Sequence, residues 1–446
     1  MTPALPLDDI QGLILRGYGM DALSVFILRV ERPVEARRAL GTLGVASAVP
    51  WDAKPESCVN VALTYEGLAA LGLSSDSLKS FPVEFSQGAI ARAQLVGDVG
   101  TNAPEHWRPP LAQAGIHVLV FLFAQDAVAR TAASDRLRST CHGPLTELTV
   151  MHGDMLPGQV AHFGYRDGFS QPTVAGGPRG LLADILPEAP AGEFLLGYQS
   201  QFSEFTYPVP TPVALGRNGS YVALRVLEQD CAAFEALLVE AQASYGISGE
   251  ALAAKLVGRW RNGTPLTLSP DTDSPNPPIP LDQLNSYDYA PSDSDPNAYD
   301  DRRGYRCPIG SHMRRNNPRH SVVAGNGGLR RRIVRRGLPY GPPFDPSNPN
   351  DGVERGLLGL FVAVSLKDQF EFLMNDWVNG DTFAPGLAGT KDPLLRRQGG
   401  DTGTFTIPRE GQPPIVVTGL PQLVRTRGAA YGFLPSLTAL QYLASL

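Results

Sequence analysis

A chain of 446 residues with 43% hydrophobic and 18% charged residues is long enough for two domains with real cores and too apolar to be disordered. Its net charge of -6 argues against nucleic acid or an anionic membrane as the main partner. Cys58, Cys141, Cys231 and Cys307 form no C-x-x-C pair, no basic-then-apolar leader opens the chain, and no window has the unbroken apolar length of a membrane span, so a cytoplasmic, reduced-thiol protein is expected.

In chain order, the run from Leu23 to Val30 predicts a buried strand, and Val34 to Leu43 a short helix. Val59 to Thr64 predicts a second strand that runs into a helix from Tyr65 to Leu71. The unbroken apolar stretch from His117 to Phe123 predicts a strand buried on both faces. A helix is expected from Asp126 to Arg138, and the alternation from Thr146 to His152 reads as an edge or fourth strand. Strand-helix-strand-strand-helix-strand is the order of a ferredoxin-like unit. The pattern recurs: strand from Tyr221, helix from Asp230 to Tyr245, strands from Arg331 to Arg335 and from Leu357 to Ser365, helix from Gln369 to Val378, strand from Ala429 to Leu434. The expected architecture is thus α+β: two ferredoxin-like domains, each βαββαβ with an antiparallel sheet, over 1–215 and 216–446. Between elements of the second unit, Asn262 to Asp301 is rich in Pro, Asp, Ser and Asn and reads as a long surface loop, either a neutral insertion or a lid.

Two segments carry chemistry. In Phe163-Gly164-Tyr165-Arg166-Asp167-Gly168-Phe169-Ser170-Gln171-Pro172 an acid sits between glycines and among aromatics. An Asp-Gly pair alone reads as a turn, but glycines let a backbone approach a flat cofactor and aromatics keep an acid dry. The second segment places His312 in Gly310-Ser311-His312-Met313-Arg314-Arg315 and Arg335 before Arg336-Gly337-Leu338-Pro339-Tyr340-Gly341. His312 alone reads as a surface or capping residue. His142, His152 and His162 lie ten apart, which fits neither a helical face nor a metal motif, and read as structural. Arg302, Arg303, Arg306, Arg314, Arg315, Arg319, Arg330, Arg331, Arg332, Arg335 and Arg336 crowd a segment without lysine. Guanidinium groups suit paired carboxylates such as haem propionates. An iron ligand, a proton shuttle and a cation are the side chains a haem peroxidase needs.

With Leu7-Asp8-Asp9-Ile10-Gln11-Gly12 at its start, the G-x-x-D-G block at 163–172, the histidine segment, the Arg335 segment and the close from Gly428 to Leu440, the chain resembles the dye-decolourising peroxidases over nearly its whole length. Its longer loops look closer to the long, fungal-like and actinobacterial-like branch. The resemblance implies haem b held mainly by the C-terminal domain, with His312 as axial iron ligand, Asp167 as distal acid and Arg335 as distal arginine. It makes Asp392 a weaker candidate for the carboxylate behind the axial imidazole. It further implies hydrogen peroxide and aromatic reductants as partners, in a monomer or homo-oligomer. Tyr340 and Trp377 resemble positions that some relatives use for oxidation at the surface, against an ordinary packing role for each. The family commonly carries Phe where this chain has Gly359, which implies a wider distal cavity. Two other readings are a haem carrier or sensor on the same fold, which has no use for Asp167 and Arg335, and an anion or nucleic-acid binder using the arginine-rich segment.

Overall fold

The computed structural model describes residues 4–166, 168, 170–178, 188–202, 205–293, 295–319, 331–380, 382–384, 386–397 and 403–446. Four strands come from the first half: β1 (Ala22–Val30), β2 (Ser57–Leu63), β3 (Val118–Ala124) and β4 (Leu145–Asp154). The second half contributes β5 (Ser220–Gln229), β6 (Val334–Tyr340) and β7 (Gly356–Ala363). A separate hairpin, β8 (Phe405–Arg409) with β9 (Gln412–Val417), precedes β10 (Val424–Leu434).

The spatial order β4-β1-β3-β2 continues as β10-β5-β7-β6 in one antiparallel sheet. Within each half, the fourth, first, third and second ferredoxin-like strands lie side by side in that order, so the duplicated βαββαβ pattern is present as expected. Burial follows position: β3, flanked on both sides, is buried throughout, whereas β4 at the edge is half exposed.

Helix starts follow the strands for a local reason. Thr64, Asp126, Asp230, Ser365 and Ser436 each accept a hydrogen bond from the backbone N–H three residues on, at 2.8–3.0 Å. Each such cap stabilises a helix start by about 1 kcal/mol. The helix expected from Gln369 to Val378 starts earlier, at Leu366, and winds as two π-helical stretches, Leu366–Glu371 and Leu373–Val378.

The halves meet at one register pair, Phe433 with Leu63, between β10 and β2. At the opposite edges β4 meets β6: a Cβ at Gly153 would lie 3.1 Å from Leu338 Cβ and from the Pro339 carbonyl oxygen. The sheet therefore curls on itself as a barrel. Leu23, Val25 and Ile27 of β1 share one inner core with Val222, Leu224 and Val226 of β5. Alternate residues such as Phe26 and Val120 face outward into a second core, where the helices pack.

The 262–301 segment departs from the surface-loop expectation. Leu266, Tyr287 and Tyr289 form a small core with Trp260 and Cys307. Arg259 donates to the carbonyls of Gly263 and Leu284, and Arg319 to that of Tyr287. Tyrosine burial and arginine bonds to backbone carbonyls replace the missing periodicity. Among the described residues, no helix is long and apolar enough to cross a membrane.

Candidate functional site

The short helix His312–Asn316 carries the candidate ligand. His312 Nδ1 lies 2.9 Å from Asp392 Oδ2, and Asp392 is fully buried. The other carboxylate oxygen accepts the backbone N–H groups of Leu394 at 2.8 Å and Leu395 at 2.9 Å. Burial pushes the Asp392 carboxyl up, but the adjacent imidazole and those two N–H groups outweigh it and hold it below the usual carboxylate range.

Eighty positions separate His312 from Asp392, and Arg315 is what joins them. Fully buried, it donates to the carbonyls of Trp377 (2.7 Å), Gly380 (3.2 Å) and Thr390 (3.0 Å), fastening the helix to the segment that ends in Asp392. Burial lowers its guanidinium to about 10. On the helix's other side Arg314 donates to Asp301 Oδ2 and to the Cys307 carbonyl. Desolvation raises the Asp301 carboxyl despite the opposing pull of Arg314.

The crowded arginines thus act mainly as internal fasteners. Arg306 stacks 3.7 Å over the Tyr299 ring and Arg331 3.6 Å over Phe372. Arg336 donates to the Leu13 carbonyl, with burial lowering it to about 10. Arg330 lies outside the described residues.

Arg335 stands on β6 in a zipper with the G-x-x-D-G segment. Its backbone N–H donates to Gln171 Oε1, Gln171 Nε2 donates to its carbonyl, both at 3.0 Å, and its guanidinium reaches the Ser170 carbonyl at 3.1 Å. Ser170 Oγ also accepts from Asn317 Nδ2 at 3.4 Å, just past the histidine helix. The two sequence motifs are therefore neighbours in space. Gly168 has φ +89 with open space around it, so the glycine serves the left-handed turn rather than close packing. Asp167 and Phe169 lie outside the described residues.

A cavity is lined by Asn316 and Leu395, which neighbour His312 and Asp392 in the chain, and by Ile333, Phe361 and Phe370; His312, Asp392 and Arg335 themselves do not line it. Arg225 lines it too, in a buried bidentate pair with Asp98 at 2.5 and 2.7 Å. The expected widening at Gly359 is not found. A Cβ there would lie 2.8 Å from Phe361 Cε2, so the Phe361 ring already fills that space.

Tyr340 and Trp377 are each only 8% exposed. Tyr340 donates to Glu354 Oε1 at 2.8 Å and borders a separate cavity with Arg108 and His152. Trp377 packs edge-on against Phe372 and Phe383. Both lie in packed surroundings rather than on an open surface. His152 bonds Ser24 Oγ at 2.9 Å, and His162 bonds the Tyr340 carbonyl at 2.7 Å, as structural histidines would.

The residues that sequence reading missed are Phe361, Asn316, Gln171 and the Arg225–Asp98 pair. A lone arginine inside the apolar run from Tyr221 to Leu227 was a legible signal for the last. So was the two-residue spacing that puts 359 and 361 on one strand face.

The donor set suits a porphyrin iron. His312 Nδ1 is taken by a buried carboxylate, no described group bonds Nε2, and a quarter of the side chain stays open. Fold and site together define an α+β barrel protein with a histidine–carboxylate pair on a helix tied through Ser170 to a strand arginine. Residues 45–157 match the DyP dimeric alpha+beta barrel domain. The chain is 28% identical over 487 residues to the dye-decolorizing peroxidase msp1 of Mycetinis scorodonius, covering 100% of this chain and 89% of the relative. It is also 28% identical to the multifunctional dye peroxidase DyP2 of an Amycolatopsis strain, covering 99% and 96%. A solved dye-decolorizing peroxidase in complex with 2,6-dimethoxyphenol superposes with a TM-score of 0.83 at 25% identity, covering 99% of this chain and 100% of that one. Over nearly its whole length the chain is thus similar to dye-decolourising peroxidases.

Proposed function

We propose that this protein is a haem peroxidase that reduces hydrogen peroxide and oxidises dyes, phenols or other aromatic reductants in one-electron steps. The observation that carries the reading is the His312–Asp392 pair on a helix tied through Asn317 to Ser170, whose carbonyl accepts from the Arg335 guanidinium. Relatives named as dye peroxidases over nearly their full length, and a similar structure solved with a phenol, support the same substrate class.

Haem b, when bound, supplies the iron that exchanges electrons with peroxide and reductant. His312 would hold that iron through Nε2, and Asp392, by taking the Nδ1 hydrogen bond, would make the imidazole a more basic ligand. Asp167 accepts the peroxide proton and returns it to the leaving oxygen. Arg335 stabilises the negative charge that develops as the O–O bond breaks. A haem carrier would need His312 but gains nothing from a fixed Arg335. Belonging to the same proposal are the domain division at 215/216, the long-loop branch and a cytoplasmic location, the last supported by four buried free thiols.

The test is the absorption spectrum of purified holoprotein before and after one equivalent of hydrogen peroxide. A Soret band that shifts with peroxide and returns with a phenol is expected; a band inert to peroxide would leave the carrier reading. Arg335→Leu should lower kcat/KM for peroxide about 10²–10³-fold in stopped-flow kinetics, the scale of losing one charge-stabilising donor. An unperturbed aspartate titrates near ~3.9, so general-base action persists into acid and dye oxidation should peak there. An alkaline optimum in folded protein would remove Asp167 from this role.

A further inference from the structure

The turn that opens the G-x-x-D-G segment is closed on itself and then gripped from outside. Ala161 N–H donates to the Tyr165 carbonyl and Gly164 N–H to the Ala161 carbonyl, both at 2.8 Å, and Gly164 sits at φ +83. Arg261 holds that turn at two points. Its Nη1 donates to the Phe163 carbonyl at 2.9 Å, and its backbone carbonyl accepts the Arg166 N–H at 3.3 Å. A Cβ on Gly164 would lie 2.7 Å from Nη1 and 3.1 Å from Cδ, so the glycine also makes room for this side chain. The guanidinium is fixed in turn by two helices. Nη2 donates to Glu235 at 2.9 Å on the helix Cys231–Val239, and Nε to Glu250 at 3.1 Å on the helix Gly249–Val257. Phe163 packs on Phe234 of the first of these helices, with centroids 4.6 Å apart.

We propose that Arg261 is a positioning residue for the proton-shuttling acid: it anchors the 161–166 turn to two helices and so fixes how the chain enters Asp167. The inference rests on the peroxidase reading, in which Asp167 moves the peroxide proton. Asp167 follows directly on Arg166, the last point of this grip, and beyond it Ser170 and Gln171 are held by Arg335. A shuttling acid must stay within hydrogen-bond reach of the oxygens it serves, and a shift of about 1 Å can cost about 10²-fold in rate. The physical argument is the shape of the donor. One rigid planar fork meets a carbonyl and two carboxylates at once, which a single-point ammonium does not reproduce.

The test compares Arg261→Met, which keeps the apolar stem and removes charge and donors, with Asp167→Asn and with the double variant. In the haem-free protein, hydrogen exchange of the peptide spanning 160–166 should be about 10-fold faster in Arg261→Met, the scale of losing one charged hydrogen bond. In holoprotein with a wild-type Soret band, the stopped-flow rate with hydrogen peroxide should fall about 10–100-fold, while the rate at which a phenol returns the band stays within about 3-fold. Arg261→Lys should fall between, and it replaces Arg261→Met in every comparison should that variant not fold. In the Asp167→Asn background the Arg261→Met effect should shrink to within about 3-fold, because residues acting as a unit are not additive. Unchanged exchange or an unchanged peroxide rate in Arg261→Met would overturn this inference alone, as would a loss undiminished in the Asp167→Asn background. A wild-type peroxide rate in Asp167→Asn, or wild-type holoprotein inert to peroxide, would overturn the reading beneath it and this inference with it.

Discussion

His312→Ala is expected to yield a folded protein that no longer retains haem through gel filtration and shows no peroxidase turnover. Among the described residues, His312 pairs a buried carboxylate behind Nδ1 with an Nε2 bonded to no described group. The helix around it is held independently, through Arg314 and Arg315, so the substitution should remove the ligand without releasing the segment. Far-ultraviolet circular dichroism should be unchanged while the Soret band disappears. Asp392→Asn is the graded companion. It keeps the shape but removes the charge that makes the imidazole basic, and should cost about 10–100-fold in turnover or iron retention. Equal haem content and kinetics in wild type and both variants would place the iron ligand elsewhere in the chain.

Asp98→Ala is expected to destabilise the haem-free protein by about 3–5 kcal/mol in urea unfolding, the range for stranding one partner of a buried ion pair. Arg225 and Asp98 are 3% and 2% exposed, and both guanidinium nitrogens Nη1 and Nη2 meet the carboxylate. Thr426 Oγ bonds the same groups, donating to Asp98 Oδ1 at 2.7 Å and accepting from Arg225 Nη2 at 2.8 Å. The pair ties the 96–102 loop of the first half to β5 and β10 of the second, so its loss should loosen the junction between halves. Arg225→Met combined with Asp98→Leu removes both charges together and should lose less stability than Asp98→Ala alone. A double variant that loses the sum of the two single effects would show that the residues act separately.

Elements and their order were legible in the sequence because they depend on local periodicity. The unbroken apolar run at β3, the alternation at β4, and the repeat of strand-helix-strand-strand-helix-strand each follow from how one short stretch buries its own side chains. The motif order that carried the family resemblance was legible for the same reason, since each motif is a contiguous run. The separate β8–β9 hairpin was missed because the outward residues Gln412, Pro413 and Pro414 mask its short apolar stretch.

Partnerships across long separations in the chain were decided only by the tertiary structure. Asp392 reaches His312 because Arg315 fastens two segments through backbone carbonyls, and a carbonyl leaves no mark in a sequence. The arginine cluster looked like a set of clamps for carboxylates, yet many of its members hold carbonyls and tyrosine rings inside the protein. At Gly359 the missing side chain was legible, but its consequence was not. Whether a glycine opens a cavity depends on which neighbour leans into the gap, and that is a matter of close packing between residues, not of the residue itself.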